Sequence, residues 1–573
     1  VLESQLTSPA VAAPPASRRA RRKPEVLAPA GNLRGLKAAV DYGADAVYCG
    51  GKAFGMRSAP KNLSLADFEE GARYAHERGA RVYVTLNVLP RNAEVEAMRD
   101  YIGQLKDTGI DAMIVTDIGV MMMAHQIAPE VELHVSTQAG VTNYGAAQAL
   151  YEFGARRVVL AREMDLQAVR DIRARIPDDM DIECFVHGAM CMAFSGRCLF
   201  SNYLTGRDGN HGECAQPCRW KYSIVEEKRP GQYYPIEQTK EGAYLFNSQD
   251  MCMLDHIDDL IDSGATSLKI EGRSKSAYYI AAMTNAYKTA VNEYMVQRGF
   301  ESADGTVLRP FHDRVIRPDD PDFQAVADDA IERNADQAFS GVPGEPPTED
   351  DAFSAPAGAD SREAAFVSAP AGGSSREAGE GGPSSAPTED AAARSAGGTQ
   401  LDELSYKARS ARRKSNTREE VLPEGWHHAK CRPAQHVTLP DWLLAEPDKV
   451  AHRDYSTGFY YPEHKVTQNT DRSAYFRAWM VVGEVLSWTP DEGGRVTLMS
   501  RNKIEPGQHV EFLLPGEAPL AYTVPDTGLR DADGNWVPAI NNPAHVFSMP
   551  CPREVPVNAA IRSRTKKPTL KAE

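Results

Sequence analysis

The chain has no long apolar run. Across its 573 residues no window approaches 18 uninterrupted apolar positions, so a helical membrane span is not expected. It lacks His-Glu-x-x-His and Gly-x-Ser-x-Gly, the common marks of a metal-bound water or an activated serine. Residues 1–23 hold Ala and Pro but no apolar stretch, so no signal peptide is expected there. Cysteine is sparse and odd in number, nine in all. That argues against a disulfide framework and for a reducing cytoplasm. Net positive charge is also missing: the balance is −15, which speaks against a nucleic-acid partner for the chain as a whole. Three local basic runs soften that reading: Arg18–Lys23, Lys407–Lys414 and Arg562–Lys571. Such runs either contact phosphates or merely keep tails soluble.

What remains is ordinary globular material, 42% hydrophobic and 25% charged, long enough for two or three domains. From Pro24 a unit recurs: a short apolar strand, a polar turn, an amphipathic helix, then Gly-x-x before the next strand. The strands predicted are 26–30, 46–49, 82–86, 112–116, 132–136, 158–161, 182–186 and 267–270. Gly43, Gly79, Gly109, Gly154 and Gly264 stand where helices end and strands follow. Ser64 and Asp67 have capping-box spacing, with Leu65, Phe68 and Ala72 on one helical face. Eight such strands alternating with helices predict an α/β fold, a (β/α)8 TIM-like barrel, with a doubly wound open sheet as runner-up. In a barrel of this kind functional residues sit at the carboxyl ends of strands. Asn87, Asp117, Ser136-Thr137-Gln138, Arg162-Glu163, His187 and Glu271-Gly272-Arg273 fall there. An extra apolar run, 244–246, ends at Asn247-Ser248-Gln249-Asp250. Paired charges such as Arg162–Glu163 could instead close the rim.

Beyond the seventh strand lie four cysteines within 28 residues, Cys191, Cys198, Cys214 and Cys218, spaced C-x6-C-x15-C-x3-C. Four thiolates can hold an iron–sulfur cluster or a tetrahedral zinc. The x6 gap is wide for a zinc knuckle and suits a cluster better, with inert thiols as the plain alternative. Cys49 and Cys252, at other strand ends, read as core thiols first.

Glu183-x-Phe185-x-x-Gly188-Ala189-Met190-Cys191, then Gly196-x-Cys198 and Ser201, resemble the signature of the peptidase U32 family. Phe200 stands where the family usually has an aliphatic residue. The resemblance implies a TIM-like barrel. It also implies iron–sulfur proteins that hydroxylate RNA bases or quinone precursors without oxygen, in a prephenate-dependent way. The Cys-x3-Cys-Arg-Trp ending at Trp220 and the Lys269-Ile-Glu-Gly-Arg-Ser-Lys275 motif are most similar to the branch that makes 5-hydroxyuridine at the tRNA wobble position. A branch acting on a ribosomal RNA cytidine comes second, and a collagenase-like peptidase with Cys191 as nucleophile and His187 as base third. On the first reading Cys191, Cys198, Cys214 and Cys218 bind a [4Fe-4S] cluster. Arg57, Gln138, Arg162 and Arg273 bind the substrates, prephenate and tRNA, and Glu163, His187 and Glu271 position the base or move protons.

The remaining segments divide as follows: a disordered basic arm over 1–23, the barrel over 24–300, and a connecting segment over 301–334. A low-complexity insertion covers 335–425, where Ser354-Ala-Pro-Ala-Gly returns at Ser368. Such a segment buries too little apolar area to offset chain entropy, so disorder is expected. A linker, 426–475, carries His452-Arg453-Asp454-Tyr455-Ser456-Thr457-Gly458-Phe459, which resembles the family's HRGYxxGF motif with Asp454 in place of glycine. Strands predicted at 481–486, 495–499, 509–513, 520–524 and 546–549 form a small C-terminal β-barrel over 476–565. In the family this domain is similar to the barrel of translation factors. A basic tail, 566–573, follows.

Overall fold

A computed structural model describes residues 23–55, 62–177, 179–191, 193–220, 223–225, 248–308, 436–464 and 475–569, with the isolated positions 228, 230–231, 233–235 and 311. The expected arm (save Lys23), the insertion at 335–425, Arg57, the run 244–246 and Asn247 lie outside the described residues. So do the first two basic runs, apart from Lys23.

Eight strands close on themselves. They are Glu25–Ala30 (β1), Ala46–Gly50 (β2), Arg81–Leu86 (β3), Ala112–Val115 (β4), Glu132–Val135 (β5), Arg157–Val159 (β6), Asp181–Ala189 (β7) and Ser267–Ile270 (β8). Each runs parallel to its neighbours, and β8 pairs with both β7 and β1. The ring is therefore a barrel and not an open sheet. Its strands are buried almost throughout, as strands covered on both faces must be. Helices lie between them for the expected local reasons. Ser64 and Asp67 bond each other's backbone at the start of helix Leu65–His76. Gly264 sits at φ +98°, where a Cβ would also come within 2.4 Å of Arg173 Cγ.

The barrel interior is not uniformly oily. Arg157 on β6 is 1% exposed and donates to Glu25 of β1 at 2.5 and 3.1 Å. It also reaches Asp181 and Glu183 of β7 at 3.0 and 3.2 Å and Ser267 of β8 at 3.2 Å. Tyr83 and Arg81 donate to the same Glu25, while Lys269 takes the other oxygen of Glu183 at 2.6 Å. One guanidinium thus ties four strands across the closing seam.

A strand without an apolar signal of its own, Asp250–Cys252, pairs antiparallel with the end of β7 and parallel with Tyr455–Ser456. Arg453 of the HRDYSTGF motif clamps it. Its Nε and Nη2 donate to Asp250 at 3.0 and 2.6 Å, and its backbone N–H at 3.1 Å. His452 stacks on Tyr455 with ring centroids 4.4 Å apart. The motif read as part of a linker is a strand-forming clasp on the barrel.

The C-terminal domain is a seven-stranded antiparallel sheet around its own apolar core. The order is Leu520–Thr523, His509–Phe512, Ala560–Thr569, Arg477–Thr489, Arg495–Ser500, Val546–Pro550 and Arg530–Asp531. The five predicted strands are present. The correction concerns Ala560–Thr569, read as the domain's end and a basic tail but central in the sheet. Its Arg562 is fully buried and donates to Glu446 at 2.6 and 2.7 Å and to Glu511 at 2.7 and 2.9 Å. Charge was read as exposure, and here it is a buried ion pair. The domain seats on the barrel through backbone acceptors: Tyr42 Oη donates to Leu513 O, and Asn285 Nδ2 to Leu514 O.

Removing Arg157 leaves Glu25, Asp181 and Glu183 buried without their shared partner. Arg157→Met is expected to cost about 3–5 kcal/mol in urea unfolding. Burial alone would raise the Glu25 carboxyl, but Arg157 and Arg81 outweigh it and hold the group well below its ordinary 4.5. That stability is present above pH 4.5 and is lost as pH falls below it. Wild type should therefore lose stability more steeply than Arg157→Met between pH 4.5 and about 2.

Candidate active site at the carboxyl end of the barrel

Two expected site residues, Glu163 and Gln138, meet the cysteine loop and brace it, and Arg162 lies beside them. Glu163, just after β6, accepts from both the backbone N–H and Oγ of Ser195 at 2.8 Å each. Ser195 is buried in the left-handed region, φ +44°, a conformation a serine holds only when its surroundings impose it. Arg197 Nε donates to the backbone oxygen of Gln138 at 2.6 Å. Arg162 Nη1 donates to Ala189 O at 3.2 Å. The loop is thus fastened to the ends of β5 and β6 around its first two cysteines, and Arg162 joins the end of β6 to that of β7.

The Gln138 side chain turns inward, and its Oε1 accepts from Asn87 at 3.1 Å and from Thr116 at 3.4 Å. Arg162 lies 3.8 Å over the Phe185 ring, and its buried Nε has no hydrogen-bond partner among the described residues. Arg273 extends from β8 to β3, with Nη1 donating to Thr85 Oγ1 at 3.0 Å. It passes over the end of β2, where a Cβ on Gly50 would meet Nη1 at 2.1 Å. Lys269 lies one position inside the barrel, 4.3 Å over the Tyr48 ring. Burial lowers its pKa, and the Glu183 carboxylate opposes that. Three cationic side chains therefore stand at this end of the barrel, on β8 and just beyond β6. A groove of about 420 Å³ lined by Glu69, Arg73, His76 and Asp107 lies at the opposite end, where strands begin.

Glu271 is buried. Its backbone N–H donates to His187 O at 2.8 Å, and its carbonyl accepts from Tyr279 Oη at 3.0 Å. A Cβ at Gly188, φ +106°, would lie 2.5 Å from that carbonyl. The signature glycine is required by this crossing of β7 and β8.

His187 is not at the mouth. Glu183 and Phe185 face inward, and strict alternation would bring His187 in with them. The β7–β8 register shifts between Lys269 and Ile270, pairing Phe185 with Lys269 but His187 with Ile270. This bulge turns the imidazole outward, where Nδ1 meets Tyr287 Oη at 3.3 Å and the rings of Tyr279 and Tyr455 crowd it. Burial pushes its pKa down to about 3, so it is neutral at working pH. The structure does not bring it together with Glu163 or the arginines.

All four predicted cysteines follow β7 on one loop. Cys191, Cys198 and Cys218 are half-buried and Cys214 is exposed, and none of the four is in a disulfide among the described residues. Two sulfurs already accept backbone N–H groups: Phe200 N to Cys198 Sγ at 3.3 Å and Gln216 N to Cys214 Sγ at 3.4 Å. Asn210 bonds both backbone groups of Cys198. Among the described residues no three of the four sulfurs lie within 4.8 Å of one another. Cys49 is fully buried, and burial pushes its thiol up to about 12. Sequence reasoning missed Ser195, Arg197 and Asn210. Only their position between ligand-type cysteines pointed to them.

A closed (β/α)8 barrel with a four-cysteine loop beyond its seventh strand and a β domain clasped to it defines the class of protein. The chain belongs to peptidase family U32: the family model matches residues 31–318, and that of the family's C-terminal domain matches 477–562. It is 40% identical over 273 residues to tRNA hydroxylation protein P1 of Bacillus subtilis, covering 48% of this chain and 64% of that one. It is 41% identical over 274 residues to tRNA hydroxylation protein P of Helicobacter pylori, covering 47% and 65%. It is 37% identical over 275 residues to the 23S rRNA 5-hydroxycytidine C2501 synthase of Escherichia coli, covering 48% and 40%. The chain thus spans just under two thirds of the first two relatives. No helix among the described residues is long and apolar enough to cross a membrane.

A neutral buried histidine destabilises the fold in acid because only the unfolded chain takes up its proton. His187→Gln is therefore expected to flatten the loss of stability between pH 6.5 and 3 relative to wild type. Its pH–activity profile should keep the wild-type shape, measured on the full chain.

Proposed function

We propose that this protein hydroxylates a tRNA base, converting wobble uridine to 5-hydroxyuridine without oxygen and with prephenate as co-substrate. The observation that carries the reading is the four-cysteine loop fastened over the barrel mouth next to Arg162 and Arg273, in a chain 40–41% identical over its barrel to tRNA hydroxylation proteins. The donor set fits a [4Fe-4S] cluster held by Cys191, Cys198, Cys214 and Cys218. Four thiolates on one loop are the soft donor set such a cluster takes, with a tetrahedral zinc as the alternative. Backbone amides already donate to the sulfurs of Cys198 and Cys214, which orients them. When bound, the cluster would supply electron transfer or Lewis acidity.

The chain's own residues would do the rest. Prephenate carries two carboxylates, which guanidinium groups bind bidentately. Arg162, just beyond β6, and Arg273, just beyond β8, are the guanidinium groups we assign to that role. Gln138, locked by Asn87 and Thr116, presents an oriented amide. Glu163 holds the loop through Ser195, and we assign the proton movement to Glu271. A wobble base lies in a single-stranded loop and can be splayed into the site at little cost. We place the protein in the cytoplasm with its tRNA. The peptidase reading loses its base, since His187 bonds Tyr287 on the outer face.

The test is mass spectrometry of tRNA and ribosomal RNA nucleosides from cells lacking the protein, complemented with wild type or with Arg162→Lys/Arg273→Lys. The 5-hydroxyuridine-derived nucleosides should vanish from tRNA and return with wild type. With the double variant they should stay reduced by about tenfold or more. Loss of 5-hydroxycytidine from ribosomal RNA instead would assign the ribosomal substrate. Unchanged RNA together with gelatin cleavage by the purified chain would establish the peptidase.

A further inference from the structure

The described residues expose sixteen large hydrophobic side chains, and five of them fall between Phe194 and Trp220. Phe194, Leu199, Tyr203, Leu204 and Trp220 are 51%, 53%, 78%, 47% and 47% exposed. Helix Phe200–Thr205, which carries Tyr203 and Leu204, packs on the turn Pro217–Arg219 that leads into Trp220. Tyr203 N donates to Leu199 O, placing the two on one side of helix Phe200–Thr205. On the opposite side Ser201 is buried, and its Oγ accepts from Ala215 N at 2.9 Å. That bond draws the segment leading to Trp220 against the helix. Solvated apolar surface this concentrated is rare without a partner.

Its charge selects the partner. Across 191–221 the sequence has four Arg or Lys (Arg197, Arg207, Arg219, Lys221) against two acids (Asp208, Glu213), within a chain of net charge −15. Arg197 and Arg207 are exposed, Arg197 with its Nε bonded to Gln138 O. Aromatic faces among cations, on an otherwise acidic protein, make a stacking platform for unpaired nucleobases with phosphate contacts at its border. The alternative anchor at the C-terminal strand is weaker than its sequence suggests: Arg562 is buried in ion pairs, and Lys566 pairs with Glu505.

We propose that the outer face of the cysteine loop, centred on Tyr203 and Trp220, binds the single-stranded loop of the RNA substrate by base stacking. This rests on the RNA-modifying reading and names a surface, on the loop that Glu163 and Gln138 tie to the barrel end, that would hold the RNA.

The test is fluorescence anisotropy of the full-length protein, purified anaerobically, with a labelled 17-nucleotide tRNA anticodon stem-loop. Iron and sulfide content is measured for every variant. Tyr203→Phe should bind like wild type, because the ring is kept. Tyr203→Leu, which keeps apolar area but not the ring, and Trp220→Leu should each weaken binding about tenfold with iron content unchanged. Equal binding by wild type and both Leu variants would overturn the proposal. So would Leu variants that change only the sedimentation coefficient, which would make this face a contact between copies of the chain. A wild-type protein that binds the stem-loop through Tyr203 and Trp220 but leaves cellular RNA unmodified would keep the surface and remove the hydroxylase reading. Modified RNA with unaltered binding by the variants would do the reverse.

Discussion

The structure depends on one buried cation. Arg157 holds Glu25, Asp181, Glu183 and Ser267 and so joins β6 to β1, β7 and β8, the strands where a barrel must close. Parallel strands close only if their register is set, and an apolar interior sets it weakly. A guanidinium with several fixed acceptors sets it by geometry, since a slip would strand buried carboxylates. The same network reaches upward: Glu183 shares its second oxygen with Lys269, one residue short of the mouth. Barrel closure and the charge balance beneath the site are therefore one construction.

From that seam the fold was largely legible. Strand positions came from short apolar runs between glycine-ended helices, and all eight fall within a residue or two of prediction at each end, apart from the longer β7. Closure was not legible, because periodicity is the same in an open sheet and a ring. Strand Asp250–Cys252 escaped because it has no pattern of its own. It exists through pairing with β7 and through Asp250's bond to Arg453, some 200 residues away in sequence. Arg562 was misread for a related reason: its acceptors Glu446 and Glu511 are distant in sequence, so the run looked like a solvated tail.

The site residues divide on the same principle. That Arg162, Glu163, Gln138 and Arg273 sit at strand ends followed from the barrel, and the structure gathers them at one end. What each side chain touches depended on the loop. Glu163 was expected to act on substrate and instead binds Ser195, a residue between cysteines whose left-handed backbone no pattern foretold. His187 was expected among the site residues at the strand ends, and a single bulge turns it to the outer face. Alternation is a rule for unbroken ladders, and β7 is broken where the signature motif begins to leave the sheet.

That break also explains the order of parts around the loop. Gly188 allows β7 to cross β8 at Glu271 within a distance no Cβ permits, and past that crossing the chain is released as a loop. Asp250–Cys252 covers the far edge of β7 at the same level, held by Arg453, and the chain beyond Arg453 leads on to the β domain. The cysteine loop is therefore bounded by the ends of β5 and β6 on one side and by the clasped strand on the other. Ser248, just before that strand, closes the boundary by donating to Met190 O at 2.7 Å. A loop held on both flanks can present four sulfurs in fixed relative positions without a packed core of its own. This leaves its outer face free of structural duty, which is where Tyr203 and Trp220 stand exposed.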